Sequence, residues 1–278
     1  MRCVEVNPIL QEPIRSMYPI HQKGMLIEEY AQNYFKGIPD IGDAQYIPIN
    51  WTGWFCNHNY GQGTQVLRQY VRDLRLPKGK YFTVVQNDDG TKCDDILHDI
   101  GCTIFACGGV GDIPLPLLCD AHPERPYNTT PKYLASFVGN TNTHPIRKKM
   151  ESEIINDKRF FIGRGGSNLF RSLMGDSVFA LCPRGYGKTS YRMYEAIQLG
   201  TIPVYIYDEE WLPYKDFLNW SDFCVLIQSD KISSLKEILT SITEQKRLEM
   251  RANLYMVQKY FTMKAACEYT EVLMRENN

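Results

Sequence analysis

The segment of residues 177–208, SVFALCPRGYGKTSYRMYEAIQLGTIPVYIYD, constrains the fold of this chain more than any other stretch. It reads as an apolar strand over 177–182, a turn carrying Gly185 and Gly187, a helix over 188–199, a glycine at 200 and a second apolar strand over 202–207. Short apolar strands alternating with helices imply a parallel sheet covered on both faces, so the expected class is α/β. The turn also has a chemical meaning. A glycine-bearing strand-to-helix turn lets backbone N–H groups face a ligand, and the positive end of the helix dipole favours phosphate there. Arg184, Lys188 and Arg192 lie beside it.

The same alternation continues on both sides. Strands are predicted over 133–138, 159–162 and 223–227 and helices over 145–154 and 167–174, followed by a helical tail from 232 in which Leu235, Ile238, Leu239 and Ile242 have helical spacing. The first half is richer in turn residues and aromatics, with helices predicted over 27–35 and 64–72 and strands over 45–50, 81–86 and 103–107. Residues 112–131 hold five prolines and almost no periodicity, which reads as a linker. At about 150 residues per domain the length suits two domains or one large α/β domain. The expected division is 1–130 and 131–278, the second ending in the helical tail.

Composition narrows the function. With 31 basic and 32 acidic side chains the formal net charge is −1, which argues against an electrostatic nucleic-acid binder. No run approaches the roughly 20 apolar residues of a membrane-spanning helix, and the first thirty residues lack the apolar centre of a secretory signal. A soluble, cytoplasmic protein is the expectation. The nine cysteines are odd in number and never spaced as CxxC, so reduced thiols are expected rather than a disulfide scaffold or a structural zinc. No Asp-x-Asp lies between strands and the five histidines are dispersed, so no metal is expected.

The letters Gly187-Lys188-Thr189 invite a P-loop reading, since a GxxxxGK[ST] phosphate cradle also joins a strand to a helix. That pattern needs a glycine where this chain has Cys182, and the next residue, Pro183, has no N–H to donate.

A more extensive match covers about residues 110–230. The strand end Cys182-Pro183-Arg184-Gly185-Tyr186-Gly187, then Thr189-Ser190-Tyr191-Arg192-Met193-Tyr194-Glu195-Ala196, then Gly200-Thr201-Ile202-Pro203-Val204 follow one another in a fixed order. Leu212-Pro213 and Asn219-Trp220-Ser221-Asp222-Phe223 come after them, and Gly111-Asp112-Ile113-Pro114-Leu115-Pro116 and Lys132-Tyr133-Leu134-Ala135-Ser136-Phe137-Val138-Gly139 before. In these motifs the chain resembles the exostosin family, glycosyltransferase family 47. The resemblance implies a GT-B architecture, two Rossmann-like domains with parallel sheets facing a central cleft. It also implies inverting, metal-independent transfer of a sugar from a UDP-sugar to an oligosaccharide or glycoprotein glycan. Xylose, galactose and glucuronic acid are the candidate sugars. Cellular members of the family usually carry a Golgi anchor, so a chain without one points to the cytosol of a bacterium or of a virus-infected host.

On this resemblance Arg184 and Arg192 bind the diphosphate, Ser190 donates to a phosphate oxygen, and Glu195, three residues beyond Arg192, accepts the ribose hydroxyls. Gly139 and Asn140, ending the domain's first strand, sit under the diphosphate, while Gly185, Tyr186 and Gly187 complete the donor site. A bland rival is that Arg192 and Glu195 form an exposed helix pair. Inverting transfer also needs a base within reach of the acceptor hydroxyl. Asp88, at a strand end, leads the candidates, followed by Asp43 and His58. The family's segment around that strand is matched weakly, since Lys80-Tyr81 stands where many members carry Asp-His. A catalytically inactive carbohydrate- or nucleotide-binding module is therefore the main alternative, ahead of a P-loop-type enzyme. Residues 51–60 concentrate aromatics and amides, which suits sugar stacking and a packed loop equally.

Overall fold

The computed structural model describes residues 3–15, 25–38, 42–118 and 130–276. The chain divides into two compact units, residues 1–120 with 262–278, and residues 121–261. The elements of the first unit are α1 (Ile27–Gly37), β1 (Gln45–Tyr46), α2 (Trp51–Asn57), α3 (Thr64–Asp73), β2 (Tyr81–Val85), α4 (Asp94–Asp99), β3 (Cys102–Ala106) and β4 (Ile113–Pro114). Those of the second are β5 (Tyr133–Val138), α5 (Pro145–Ile154), β6 (Phe160–Gly163), α6 (Ser167–Gly175), β7 (Ser177–Pro183), α7 (Tyr191–Gln198), β8 (Ile202–Tyr207), β9 (Val225–Gln228), α8 (Leu235–Ser241) and α9 (Glu244–Val257). A final helix, α10 (Met263–Glu276), returns to the first unit.

The first unit is built on an all-parallel sheet ordered β1-β2-β3-β4. Every residue of β2 is buried, as a strand covered on both faces requires. Ile27, Ala31 and Phe35, spaced four apart on α1, are buried, and the Phe35, Tyr46 and Phe82 rings pack with centroids 5.0–5.2 Å apart. Two expectations change here. Residues 51–57 are a helix, capped by the Asn50 side-chain oxygen Oδ1 accepting from Gly53 N–H. Residues 112–118 are not linker: they form β4 and bury Leu115, Leu117 and Leu118, because Leu115 N–H extends the ladder to Ala106 O. The rest of that stretch, 119–129, lies outside the described residues.

The helical tail is also redistributed. Helix α10 buries Ala266, Cys267, Thr270 and Met274, one face at helical spacing, and Tyr34 on α1 donates to Glu271 at 2.8 Å. It therefore belongs with the first unit, although the sequence reads it as the end of the second domain.

The second unit carries a five-stranded all-parallel sheet ordered β6-β5-β7-β8-β9. Its core joins Phe137, Phe179, Leu181, Val204 and Ile206 from the strands to Ile146, Met150 and Ile154 of α5 and to Leu235 and Leu239 of α8. Each such side chain contributes about 1.5–3 kcal/mol by leaving water. Five strands and the α5 helix lie within two residues of their predicted bounds. Among the described residues every cysteine is a free thiol, and no helix is long and apolar enough to cross a membrane.

Candidate functional site

Ligands of parallel sheets gather at the carboxyl ends of the strands. In the second unit that edge is formed by Gly139 and Asn140 after β5, residues 184–190 after β7, and Asp208 after β8.

The glycine-bearing turn is closed by its own bonds. Gly185 N–H donates to Thr189 O at 2.9 Å, and the Tyr205 hydroxyl donates to Lys188 O at 2.6 Å. With those carbonyls engaged, the helix starts at Tyr191 rather than at residue 188. The expectation that the turn's amides face a ligand is thus corrected for Gly185, whose N–H is used internally. Arg184 clamps the same turn, donating to Gly187 O at 3.0 Å, to Tyr186 O at 3.1 Å and to Asp208 Oδ1 at 2.6 Å. Tyr186, at the tip between the two glycines, is 74% exposed. Lys188 pairs with Glu209 at 2.7 Å and lies over the Trp211 ring.

What the edge leaves unsatisfied is at the start of α7. Ser190 is the N-cap residue, with extended backbone, yet its hydroxyl accepts no helix amide. Both the Ser190 and Thr189 hydroxyls are buried without a hydrogen-bond partner. A buried unpaired hydroxyl costs about 1–3 kcal/mol, and two side by side at a helix N-terminus fit the oxygens of an anionic ligand.

Arg192 and Glu195 stand one turn further on. The Arg192 guanidinium donates to Val138 O, pairs with Glu195 at 3.6 Å, and lies over the rings of Phe170 at 4.3 Å and Phe137 at 5.3 Å. Glu195 is only 4% exposed. The pair is therefore not an exposed helix pair, because α7 packs this face onto the end of β5. A Cβ at Gly139 would come 3.0 Å from Phe137 Cζ, tighter than ordinary contact, so the glycine leaves room for the ring on which the Arg192 guanidinium lies.

Three residues of the edge were not singled out from the sequence. Arg147, on α5, donates to Asn140 O at 2.9 Å, Arg184 O at 2.8 Å and Pro183 O at 3.3 Å, tying the ends of β5 and β7 together. His144 caps α5 by accepting from Ile146 N–H through Nδ1, which leaves the proton on Nε2, 3.9 Å from Asp208 Oδ2. Partial burial, then the Arg184 charge, holds the His144 pKa below its ordinary value, against the pull of Asp208. Burial raises the Asp208 carboxyl, but the Arg184 and Glu209 N–H bonds outweigh it and hold it below the usual range. Arg147 carries no spacing signal, because its partners lie up to 37 residues away.

The three base candidates are not brought together. Asp88 is half-buried in the turn after β2, at the carboxyl edge of the first sheet. Gly108 lets the chains meet there, since a Cβ on it would lie 2.4 Å from Asp88 Cα. Asp43 is exposed and precedes β1, at the amino end of the same sheet. His58 ends α2, its Nδ1–H donating to Trp54 O at 2.9 Å while the ring stacks on Trp54. The aromatics of this helix are structural as well: Trp51 is buried and donates to Thr83 Oγ1 at 2.9 Å. Asp112 is structural too, accepting from Ile104 N–H at 2.7 Å.

Residues 106–242 match the model of the Exostosin GT47 domain. A probable glycosyltransferase of Arabidopsis thaliana is 32% identical over 143 residues, 50% of this chain and 27% of that protein. A probable glucuronosyltransferase of Oryza sativa subsp. japonica is 29% identical over 174 residues, 57% of this chain and 42% of that protein. The chain thus spans less than half the length of these curated relatives. Among solved structures, TarM is similar with a TM-score of 0.46 and 12% identity, over 89% of this chain and 58% of that one.

Proposed function

We propose that this protein, which carries an exostosin GT47 domain across residues 106–242, is a glycosyltransferase that moves a sugar from a UDP-sugar to a glycan hydroxyl with inversion. The observation that carries the reading is the pair of buried, unpartnered hydroxyls of Thr189 and Ser190 beside Arg192 at the start of α7. In this reading they bind the diphosphate, and the Arg192 guanidinium and the α7 dipole stabilise the charge that builds as the donor bond breaks. Glu195 takes the ribose hydroxyls. Arg184 and Arg147 hold the turn and the strand ends in place rather than contacting phosphate as their main task. Tyr186, its carbonyl held by Arg184 and its side chain exposed, offers a ring face to the donor or acceptor. Asp88 is the candidate to take the acceptor proton, being the one base candidate at a carboxyl strand edge. Glucuronic acid comes first among the donor sugars, because a relative bears that name.

Ligand stabilisation tests this directly. UDP at a hundred times its dissociation constant should raise the stability of the second unit by about 2.7 kcal/mol, with no change on adding EDTA. GDP, CMP and ATP should do less in the same melt. Stabilisation by ATP with magnesium alone would sink the proposal. UDP binding without turnover of any UDP-sugar would favour the inactive binding module.

Lys188 separates this reading from a P-loop enzyme. Its ammonium is committed to the largely exposed Glu209, a pair worth little. Lys188→Ala should leave UDP affinity and turnover within about threefold of the unmodified protein. Loss of all nucleotide binding in that variant would restore the P-loop assignment.

A further inference from the structure

A carboxyl group in the first unit has no part in the chemistry above. Glu28, in the first turn of α1, is fully buried. One of its oxygens, Oε1, accepts from Gln86 N–H at 3.0 Å, Thr52 N–H at 3.0 Å and the Thr52 hydroxyl at 2.8 Å. The other, Oε2, is buried without a partner. Gln86 returns a second bond, its side-chain oxygen accepting from Ile27 N–H at 3.0 Å.

These partners lie at one place in the fold. Thr52 opens α2, which follows β1, and Gln86 is the first residue beyond β2, two positions before Asp88. Glu28 thus joins the carboxyl end of one strand to the helix that leaves its neighbour. Three donors on one oxygen favour the ionised carboxylate, but complete burial, with the other oxygen unpartnered, disfavours charge there more strongly. The titratable groups facing it are Glu29 on its own helix, Cys56 on α2, Tyr46 on β1 and Cys107 after β3, with Cys267 of α10 behind the last two. None of these carries positive charge. Gln32 and Tyr46 add two more buried polar atoms without partners, Nε2 and OH.

We infer that Glu28 is the positioning residue of this edge: its neutral carboxyl locks the strand end that carries Asp88 to the start of α2, and loss of its proton loosens the lock. Burial, only partly offset by the Gln86 and Thr52 bonds, raises the Glu28 pKa to about 7. An opened junction exposes the carboxyl to water, where its ordinary value is 4.5. Between those values each pH unit therefore favours the open form about tenfold, and the effect levels off above pH 7. The lock itself requires only the unliganded fold; its effect on turnover rests on the proposed function and on Asp88 as the base.

Amide hydrogen exchange of the unliganded protein tests the lock. The opening constants of the Thr52 and Gln86 amides, corrected for intrinsic exchange, should rise about tenfold per unit from pH 5 to 7 and then flatten. In Glu28→Gln the slope should vanish, because the amide keeps an accepting oxygen but has no proton to lose. A flat curve in the unmodified protein overturns the inference, even if the variant fails to fold. So does the same slope in Glu28→Gln. The positioning role has its own readout. The kcat should show a descending limb near pH 7 that Glu28→Gln lacks, and Glu28→Ala should lower kcat about a hundredfold with the UDP dissociation constant unchanged. Identical pH profiles for the unmodified protein and Glu28→Gln overturn positioning. If no UDP-sugar is turned over at all, the proposed function fails while the exchange experiment still decides the lock.

Discussion

Arg192→Ala should abolish sugar transfer and destabilise the second unit together. The guanidinium does two things at once. It lies at the start of α7, where the donor's diphosphate is proposed to bind, and it neutralises Glu195, whose carboxylate is only 4% exposed. Removing a group that stabilises developing charge costs about a hundred- to a thousandfold in turnover. Breaking one partner out of a buried ion pair costs about 3–5 kcal/mol, because the other charge stays buried and unmatched. A folding loss alone would mimic the catalytic one, so Arg192→Lys is the sharper variant. A lysine keeps the charge beside Glu195 but cannot also reach Val138 O and a phosphate with a planar fork. It should stay folded and still lose about a hundredfold in turnover. Titration with UDP and a steady-state assay check both variants. Arg192→Lys with ordinary turnover would remove Arg192 from the donor site.

The stability of the first unit should fall as pH rises from about 4.5 to about 7, and Glu28 is the cause. Its pKa is raised by the fold, so within that window the folded chain holds a proton that the unfolded chain has released. Stability then declines with pH at about 1.4 kcal/mol per unit, for a total of about 3 kcal/mol, and is level above pH 7. Glu28→Gln should remove the decline. At pH 4 the variant and the unmodified protein should be similar, and at pH 8 the variant should be the more stable by up to about 3 kcal/mol. Denaturant titrations at several pH values decide it. A variant that is less stable at pH 8 would show that the ionised carboxylate strengthens the junction.

Much of the architecture was legible in the chain. The apolar runs that became β5, β7 and β8 are short, flanked by turn residues and separated by helices, and a run of that kind suits a doubly covered parallel strand. The spacing of Arg192 and Glu195 placed them on one helix face, as found. The helix starts three residues later than local spacing predicts, because nothing local shows that the Lys188 and Thr189 carbonyls are taken by Tyr205 and Gly185. The aromatic segment after Asn50 was undecided between sugar contact and packing until Trp51 met Thr83, 32 residues on.

The sequence by itself determined most element types of the second unit, their parallel alternation and which residues follow the strand ends of its sheet. Those depend on neighbours within a few residues, where periodicity and turn chemistry act. Only the tertiary structure decided which distant groups close on one another. Arg147 was set on the carbonyls ending β7, α10 against α1, and Glu28 between residues 24 and 58 positions away. Such pairings follow from strand order and from the requirement that buried polar groups find partners, and neither is written in local spacing.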